Sequence, residues 1–317
     1  MADLLHLVDK PEGWTSHDVV ARLRAVLGER RIGHAGTLDP FATGLLLVAE
    51  GRATGLLGCL GLLPKRYRAR AKLGVTTDTQ DRTGATLREC AVIPGRAAVA
   101  GALERFRGPQ LQVPPLYSAV KVRGERLYKA ARRGEEVERE ARPVHVYELS
   151  LGEAPPPEIE LDLTVSRGTY VRTLAHDLGE ALGCGAHLTA LRRTAIGPYA
   201  VEDALSPDAA AGHDAEAFRA RGIPPARAVS FLPSVRLLPE EAARLRHGAA
   251  PFIEPERIEP PAARFPLPPG EGAWPVALLA PDGELLAVGR PPDVEAGPDS
   301  ERAPERMTLL RVVAAGA

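Results

Sequence analysis

The chain has 317 residues and a mass of 33.8 kDa, which is long enough for one large domain and one small one. Its 44% hydrophobic and 26% charged residues are typical of a soluble globular protein. It lacks both a signal-peptide pattern and the ~18 consecutive apolar residues of a membrane span, so we expect a cytoplasmic protein that makes no membrane contact. Cys59, Cys90 and Cys184 have neither metal-ligand nor disulfide spacing, and we expect all three to be buried and reduced.

The net charge of −1 conceals an uneven distribution. Residues 1–200 contain 28 Lys and Arg against 23 Asp and Glu, a balance of +5. Residues 201–317 contain 12 against 18, a balance of −6. Because binding depends on local potential, the basic first part is compatible with a nucleic-acid partner.

Hydrophobic periodicity and turn residues predict the elements of the first 75 residues. In chain order these are a strand over 3–9, a helix that Ser16 caps and Gly28 ends, an irregular loop over 31–43, a buried run over 45–49 and a strand over 65–75. The last strand alternates strictly, which places Tyr67 on an apolar face and the basic side chains on the opposite face. That basic face either contacts phosphates or is a solvated edge.

Further along, residues 159–165 alternate as a strand and 171–182 have the pattern of a helix. This mixture indicates an α+β fold with a mixed, mainly antiparallel sheet. A composition shift near 229–233 separates a small β-rich domain. Its predicted parts are a helix over 239–247, a proline-rich loop over 254–269, a hairpin over 276–290 and a last strand over 309–313.

The loop Gly33–Pro40 (GHAGTLDP) presents one carboxylate, that of Asp39. Its two glycines allow close approach of a ligand, and Pro40 restricts Asp39 to an extended conformation. Such a carboxylate can be a nucleophile, a general base or a helix cap, and the loop by itself does not choose among these roles.

Five segments in the same order resemble the TruB family of pseudouridine synthases. They are Leu7–Gly13, Gly33–Pro40, Lys65–Arg68, Gly168–Leu174 and Asp177–Arg193. The resemblance implies a pseudouridine synthase catalytic domain over 1–230 and a small PUA-like C-terminal domain over 231–317. It also implies an RNA-clamping insertion over 114–143, where basic residues alternate with Tyr117 and Tyr128.

The implied reaction converts uridine 55 in the T-loop of tRNA to pseudouridine, with Asp39 as the nucleophile on a flipped-out base. Whether Asp39 attacks the sugar C1′ or the base C6 stays open. Arg172 matches the arginine that pairs with the catalytic aspartate, and Tyr67 is suited to stack on the base and is a candidate to take the C5 proton.

His34, Tyr170 and Leu191 match substrate-contacting positions of the family. Lys10 either supports the catalytic loop or binds a phosphate, unless it is an ordinary turn lysine without a role in the site. The isomerisation consumes nothing, so we expect neither a cofactor nor a metal. The expected partner is the T-arm stem-loop of tRNA, bound by a monomer that needs no obligate protein partner.

Two alternatives remain at this level. The chain could be the catalytic subunit of an RNA-guided synthase, since such relatives share the Asp39 and Tyr67 motifs but depend on partner proteins. It could also be a tRNA-binding folding chaperone, because base flipping opens the tRNA elbow.

Overall fold

The computed structural model describes residues 2–118, 121–122, 125–126, 138–208, 215–290 and 307–313, with only the backbone of 121–122 and 125–126. Within these ranges no helix is long and apolar enough to cross a membrane. Much of the predicted RNA-clamping insertion, including Arg123, Tyr128, Lys129, Arg132 and Arg133, lies outside the described residues. The expectation for that insertion therefore stays a prediction.

The helices are short and lie mainly beside the sheets. They are α1 (Ser16–Leu27), α2 (Leu57–Leu62), α3 (Arg96–Leu103), α4 (Val171–Ala181), α5 (Ala215–Ala220), α6 (Pro225–Ala228) and α7 (Pro239–Arg246). Single 3₁₀ turns cover Gly51–Leu56, Glu104–Phe106, Val201–Asp203 and Pro255–Arg257.

The strands fall into one large sheet, one smaller sheet and two hairpins. They are β1 (Leu4–Lys10), β2 (Ile32–Ala35), β3 (Thr43–Glu50), β4 (Lys65–Leu73), β5 (Val75–Thr77), β6 (Thr86–Glu89), β7 (Gly108–Gln112), β8 (Lys121–Val122), β9 (Glu125–Arg126), β10 (Arg142–Leu151), β11 (Glu158–Val165), β12 (Ala186–Ile196), β13 (Tyr199–Ala200), β14 (Ser234–Arg236), β15 (Val276–Leu279), β16 (Leu285–Arg290) and β17 (Thr308–Val312).

The large sheet has the order β1-β3-β12-β4-β11-β10-β7 in the described part of the chain, with β2 on β3 and β13 on β12. Its strands are antiparallel except for β12 and β3, which pair in parallel over Arg192–Arg193 and Thr43–Gly44. The expected α+β fold with a mixed, mainly antiparallel sheet is confirmed. Only a short stretch of β12 pairs with β3, and the loop that carries Asp39 lies beside this junction.

One apolar core joins the inner face of β4 to helix α4. Its members include Tyr67, Ala69 and Ala71 of β4 together with Leu174 and Leu178 of α4. The burial of β4 alternates over its whole length, as the sequence predicts. This core fixes the first turn of α4, where Arg172 lies, against the centre of the sheet.

Three local expectations were wrong. The segment 31–43 is not irregular throughout, because its first part forms strand β2, which pairs with β3. Helix α1 is capped by Thr15 rather than Ser16: the Thr15 hydroxyl accepts from the Asp18 backbone and the Asp18 carboxylate accepts from the Thr15 backbone, a capping box. All three cysteines are free, but only Cys59 and Cys184 are buried, because Cys90 follows an exposed hairpin strand.

The C-terminal region forms the predicted small β-rich unit, a four-stranded sheet in the order β14-β15-β16-β17. Its helix α7 and the hairpin of β15 and β16 lie close to the expected positions. This sheet also packs against the body: Val288 and Val313 belong to the same apolar cluster as Leu56 and Leu60. The two predicted domains therefore share part of a core.

Candidate active site

The loop that carries Asp39 is fixed by the segment before helix α1. The Ser16 hydroxyl accepts a hydrogen bond from the backbone N–H of Leu38 at 2.9 Å, and the Gly13 N–H donates to the carbonyl of Pro40 at 2.9 Å. These contacts hold the residues on both sides of Asp39. Ser16 therefore orders the loop that carries Asp39 and does not cap the helix.

A second support comes from the buried side chain of Arg193 in β12. Its Nε donates to the carbonyl of Leu45 at 2.7 Å and its Nη2 to the carbonyl of Gly36 at 3.0 Å. Gly36 has a φ of +85°, a conformation that L side chains rarely adopt. Arg193 thus ties the start of the loop to β3, a role that its position in a conventional strand pattern does not reveal.

Arg172 meets Asp39 across the site. It is the second residue of α4 and is 3% exposed. Its Nη2 donates a hydrogen bond to Oδ1 of Asp39 at 3.2 Å, and its Nε lies 2.9 Å from Oδ2 without a hydrogen-bonding orientation. The two predicted residues, 133 positions apart, therefore form an ion pair.

The guanidinium of Arg172 is held by three further groups. It donates to the carbonyl of Thr79 at 2.7 Å and to the carbonyl of Tyr117 at 2.9 Å, and its Nη1 lies 3.5 Å from Oδ2 of Asp81. Asp81 is itself buried and accepts from Thr83, through the backbone at 2.9 Å and the hydroxyl at 2.6 Å. Sequence reasoning missed Asp81, because an aspartate in a threonine-rich loop has the pattern of an ordinary turn.

The environment of Asp39 acts on its pKa in two directions. Burial raises the pKa of the carboxyl above its usual value, and the nearby charge of Asp81 adds to this effect. The charge and the hydrogen bond of Arg172 oppose the shift. Because about a third of the side chain stays exposed (34%), Asp39 remains reachable from outside while Arg172 favours its ionised form.

Apolar residues lie next to this ion pair. Tyr67 is buried in the same cluster as Leu38 and Phe41, which flank Asp39, and as Leu191 of β12. Phe41 and Leu191 also line a groove of about 600 Å³. This groove borders the outer face of β4, and neither Asp39 nor Tyr67 lines it.

Tyr170 precedes helix α4 and is fixed through its backbone. The Gln112 side chain accepts from its N–H at 2.7 Å and donates to its carbonyl at 3.0 Å. Burial raises the pKa of the Tyr170 hydroxyl, and the charge of Asp39 contributes in the same direction. Tyr170 therefore lies two residues before Arg172 at the start of α4, and its expected contact with the substrate stays a prediction.

His34 lies in β2, the strand that leads directly into the loop that carries Asp39. Its Nδ1 is buried and has no hydrogen-bond partner among the described residues. Burial lowers the pKa of the imidazole, and the charge of Arg193 adds to this, so the neutral form is favoured. A neutral ring with an unpaired nitrogen is suited to a hydrogen bond with an uncharged base.

Lys10 is completely buried and donates to backbone carbonyls: Pro11 at 2.9 Å, Trp14 at 2.6 Å and Pro40 at 3.3 Å. Burial lowers the pKa of its ammonium to about 8, and the charge of Asp39 partly offsets this. Of the roles left open by the sequence, this geometry favours support of the catalytic loop over contact with a phosphate.

The basic outer face of β4 has carboxylate partners on β11. Arg68 lies 3.2 Å from Asp162, and Arg70 lies 2.7 Å from Glu160. Register explains both pairs, since these residues are directly opposite one another in the antiparallel ladder. β4 is an interior strand rather than an edge, and its outer face carries less uncompensated charge than its own sequence indicates.

Two family models match the chain. The N-terminal domain of TruB family pseudouridylate synthase matches residues 24–171, and the tRNA pseudouridylate synthase B C-terminal domain matches residues 172–212. The boundary between the two falls directly before Arg172, so the ion pair of the site joins both matched regions.

Individual relatives extend the likeness over nearly the whole chain. The tRNA pseudouridine synthase B of Thermobifida fusca is 46% identical over 297 residues, which cover 91% of this chain and 94% of that protein. The protein of the same name from Burkholderia mallei is 41% identical, with 96% of each chain covered. The crystal structure of a Cbf5-Nop10-Gar1 complex contains a chain with a TM-score of 0.71 and 29% identity, covering 98% of this chain and 85% of that one.

Proposed function

Because the chain belongs to the TruB family of pseudouridine synthases, we propose that it isomerises uridine 55 in the T-loop of tRNA, with Asp39 as the nucleophile. Its activity is that of its relatives, the synthesis of pseudouridine in tRNA. The proposal adds two points to this activity: the modified position is uridine 55, and Asp39 is the nucleophile. The observation that supports them is the contact of the buried Arg172 with a partly exposed Asp39.

In the reaction the N1–C1′ bond of the uridine breaks, the base turns over, and a C5–C1′ bond forms. C5 loses a proton and N1 gains one, so atoms and electrons balance without an added reactant. Arg172 keeps Asp39 ionised and aligned, and the ring of Tyr67 stacks on the base after it leaves the loop. The apolar cluster around Tyr67 excludes water from the reacting base.

The test uses the purified chain and an unmodified tRNA transcript. Carbodiimide labelling and sequencing then locate each pseudouridine. We expect one modified position, 55, and no product from a transcript with cytidine at that position. Modification at another uridine, or a matching rate with Asp39→Asn, contradicts the proposal.

A second candidate follows from the structural likeness to proteins of guided particles. A chain in the archaeal box H/ACA sRNP Nop10-Cbf5 complex has a TM-score of 0.71 and 25% identity. If this chain also needs a guide, the purified protein will be inactive on free tRNA and will gain activity when a guide RNA is added. We expect activity without any guide, since the synthase B relatives match at 41–52% identity.

A further inference from the structure

The turn Ser166–Thr169 leads directly into Tyr170 and Arg172, and it is fixed from inside by strand β10. The backbone N–H of Ser166 donates to the carbonyl of His145 at 2.8 Å. The N–H of His145 donates back to the Ser166 hydroxyl at 2.9 Å. These two bonds hold the beginning of the turn, and its next residue, Arg167, projects outward with its side chain half exposed.

The C-terminal region contacts Arg167 from outside. Glu271, in the loop before β15, places Oε1 3.0 Å from Nη2 of Arg167. Its other oxygen lies 3.2 Å from Nη2 of Arg290 in β16. The Glu271 side chain is only 16% exposed. One oxygen of the Glu271 carboxylate is therefore held by Arg290 of the C-terminal sheet, and the other contacts Arg167 of the turn.

The loop before β15 also contacts the turn Ser166–Thr169 indirectly, through Tyr147 and His145. The Tyr147 hydroxyl donates to the carbonyl of Leu267 at 3.2 Å. The ring of Tyr147 stacks on His145 with 4.6 Å between centroids, and His145 is the residue that pairs with Ser166. Two contacts from one loop thus converge on the short segment that carries Arg172.

We propose that Glu271 is a positioning residue for pseudouridine synthesis. Through Arg167 it fixes the turn from which Tyr170 and Arg172 enter the site. The argument rests on the proposed role of Arg172. A shift of this turn moves the guanidinium relative to Asp39, and misplacement by about 1 Å can cost up to 10²-fold in rate.

The test compares Glu271→Gln, Arg167→Gln and the double variant with the control Glu284→Gln. The control breaks an ion pair within the C-terminal region, with Arg246 at 3.2 Å, whose carboxylate is more exposed (49%) than that of Glu271 (16%). Single-turnover rates are measured as total pseudouridine formed in a T-arm stem-loop at saturating enzyme. Stem-loop affinity and melting temperature are measured on the same proteins.

We expect Glu271→Gln and Arg167→Gln each to lower the single-turnover rate about fivefold, and the double variant to be no slower than either. Affinity should match the control, and melting temperature should fall by no more than a few degrees, because glutamine keeps the volume of the side chain and can still accept a hydrogen bond from Arg167 or Arg290. A purely structural role would change melting temperature and leave the rate at saturation intact.

The inference is wrong if both single variants react at the rate of Glu284→Gln, or if their losses multiply in the double variant. It is equally wrong if only affinity or melting temperature falls. The assay counts all pseudouridine, so an error about position 55 does not affect it. A wild-type rate in Arg172→Lys would instead contradict the proposed role of Arg172.

Discussion

An arginine–carboxylate ion pair lies on each side of β4, and the two pairs have different surroundings. On the inner side, the Arg172–Asp39 pair lies next to the apolar cluster of Tyr67, and Arg172 is 3% exposed. On the outer side, Arg68 and Asp162 meet at 3.2 Å with side chains 66% and 48% exposed. Both are arginine–carboxylate pairs, yet only in the first is the arginine buried, while its carboxylate stays about one-third exposed.

Shielding decides what each pair does. Breaking a buried pair strands a charge and costs about 3–5 kcal/mol, whereas an exposed pair is worth about 0.2–1 kcal/mol. The inner pair can therefore hold a reactive group in one state, while the outer pair mainly neutralises the surface. Substitutions on the two faces test this difference.

The largest effect is expected for Asp39→Asn. Loss of a nucleophile can lower the rate on the order of 10⁶-fold, whereas tRNA affinity should stay within a few-fold because phosphate contacts supply most of it. Single-turnover kinetics and filter binding measure these quantities.

Asp162→Asn on the outer face is the matched control for this substitution. It should keep nearly the wild-type rate. If Asp39→Asn retains more than about a tenth of the activity, Asp39 is not the nucleophile.

Arg172→Ala should lose nearly all activity and reduce stability by about 3–5 kcal/mol, because it leaves the buried Asp81 without its cationic partner. Arg172→Lys should recover little, since an ammonium cannot replace the contacts to Asp39, Thr79 and Tyr117 together. Denaturant unfolding and turnover on tRNA are the measurements. Near-normal values for either variant would place Arg172 outside the site.

The pH dependence of activity offers a further test, because two substitutions should shift the pKa of Asp39 in opposite directions. Arg172 lowers the pKa of Asp39 and Asp81 raises it. Activity that needs ionised Asp39 is lost as pH falls through that pKa. The acid limb of kcat/KM should therefore move to higher pH in Arg172→Gln and to lower pH in Asp81→Asn. Shifts in the same direction for both variants contradict this assignment.

Tyr67→Phe and Tyr67→Leu separate the ring from the hydroxyl. Phenylalanine keeps the stacking surface, so affinity should be retained, and turnover falls only if the hydroxyl serves the C5 proton step. Leucine should weaken both, by about 1–3 kcal/mol for a lost base stack. Wild-type turnover in both variants would remove Tyr67 from the mechanism.

The smallest effect is expected on the outer face. Arg68→Ala should change tRNA affinity by less than about threefold, because Asp162 already neutralises that charge. The salt dependence of binding measures any phosphate contact directly. A drop of about one unit in its slope would show that Arg68 contacts a phosphate after all.

The sequence predicted the individual strands and helices better than the residues that each of them contacts in the folded protein. The alternation of residues 65–73 gave the correct faces of β4, and the helix expected over 171–182 exists as Val171–Ala181. Both patterns depend on local periodicity, which one strand or helix carries by itself. The carboxylates opposite Arg68 and Arg70 depend on the register with β11, and no single segment encodes that register.

Within the site, Asp39 and Arg172 were predicted from motifs and lie in contact. Asp81, Arg193 and the role of Ser16 were not, because each acts through a backbone or an ion pair that forms only after distant segments meet. Lys10 shows the same limit: its residue type allowed more than one role, and only its complete burial against three carbonyls favours one.

The central position of β12 has a consequence for synthesis on the ribosome. β12 lies between β3 and β4 but is made about 110 residues after β4 ends. At about 5–20 residues per second, the nascent chain carries two strands with open edges for roughly 6–22 s. Unpaired edges are templates for aggregation. The junction beside the loop of Asp39 thus closes only after β12 has been made, and a pause in translation before residue 186 prolongs that exposure.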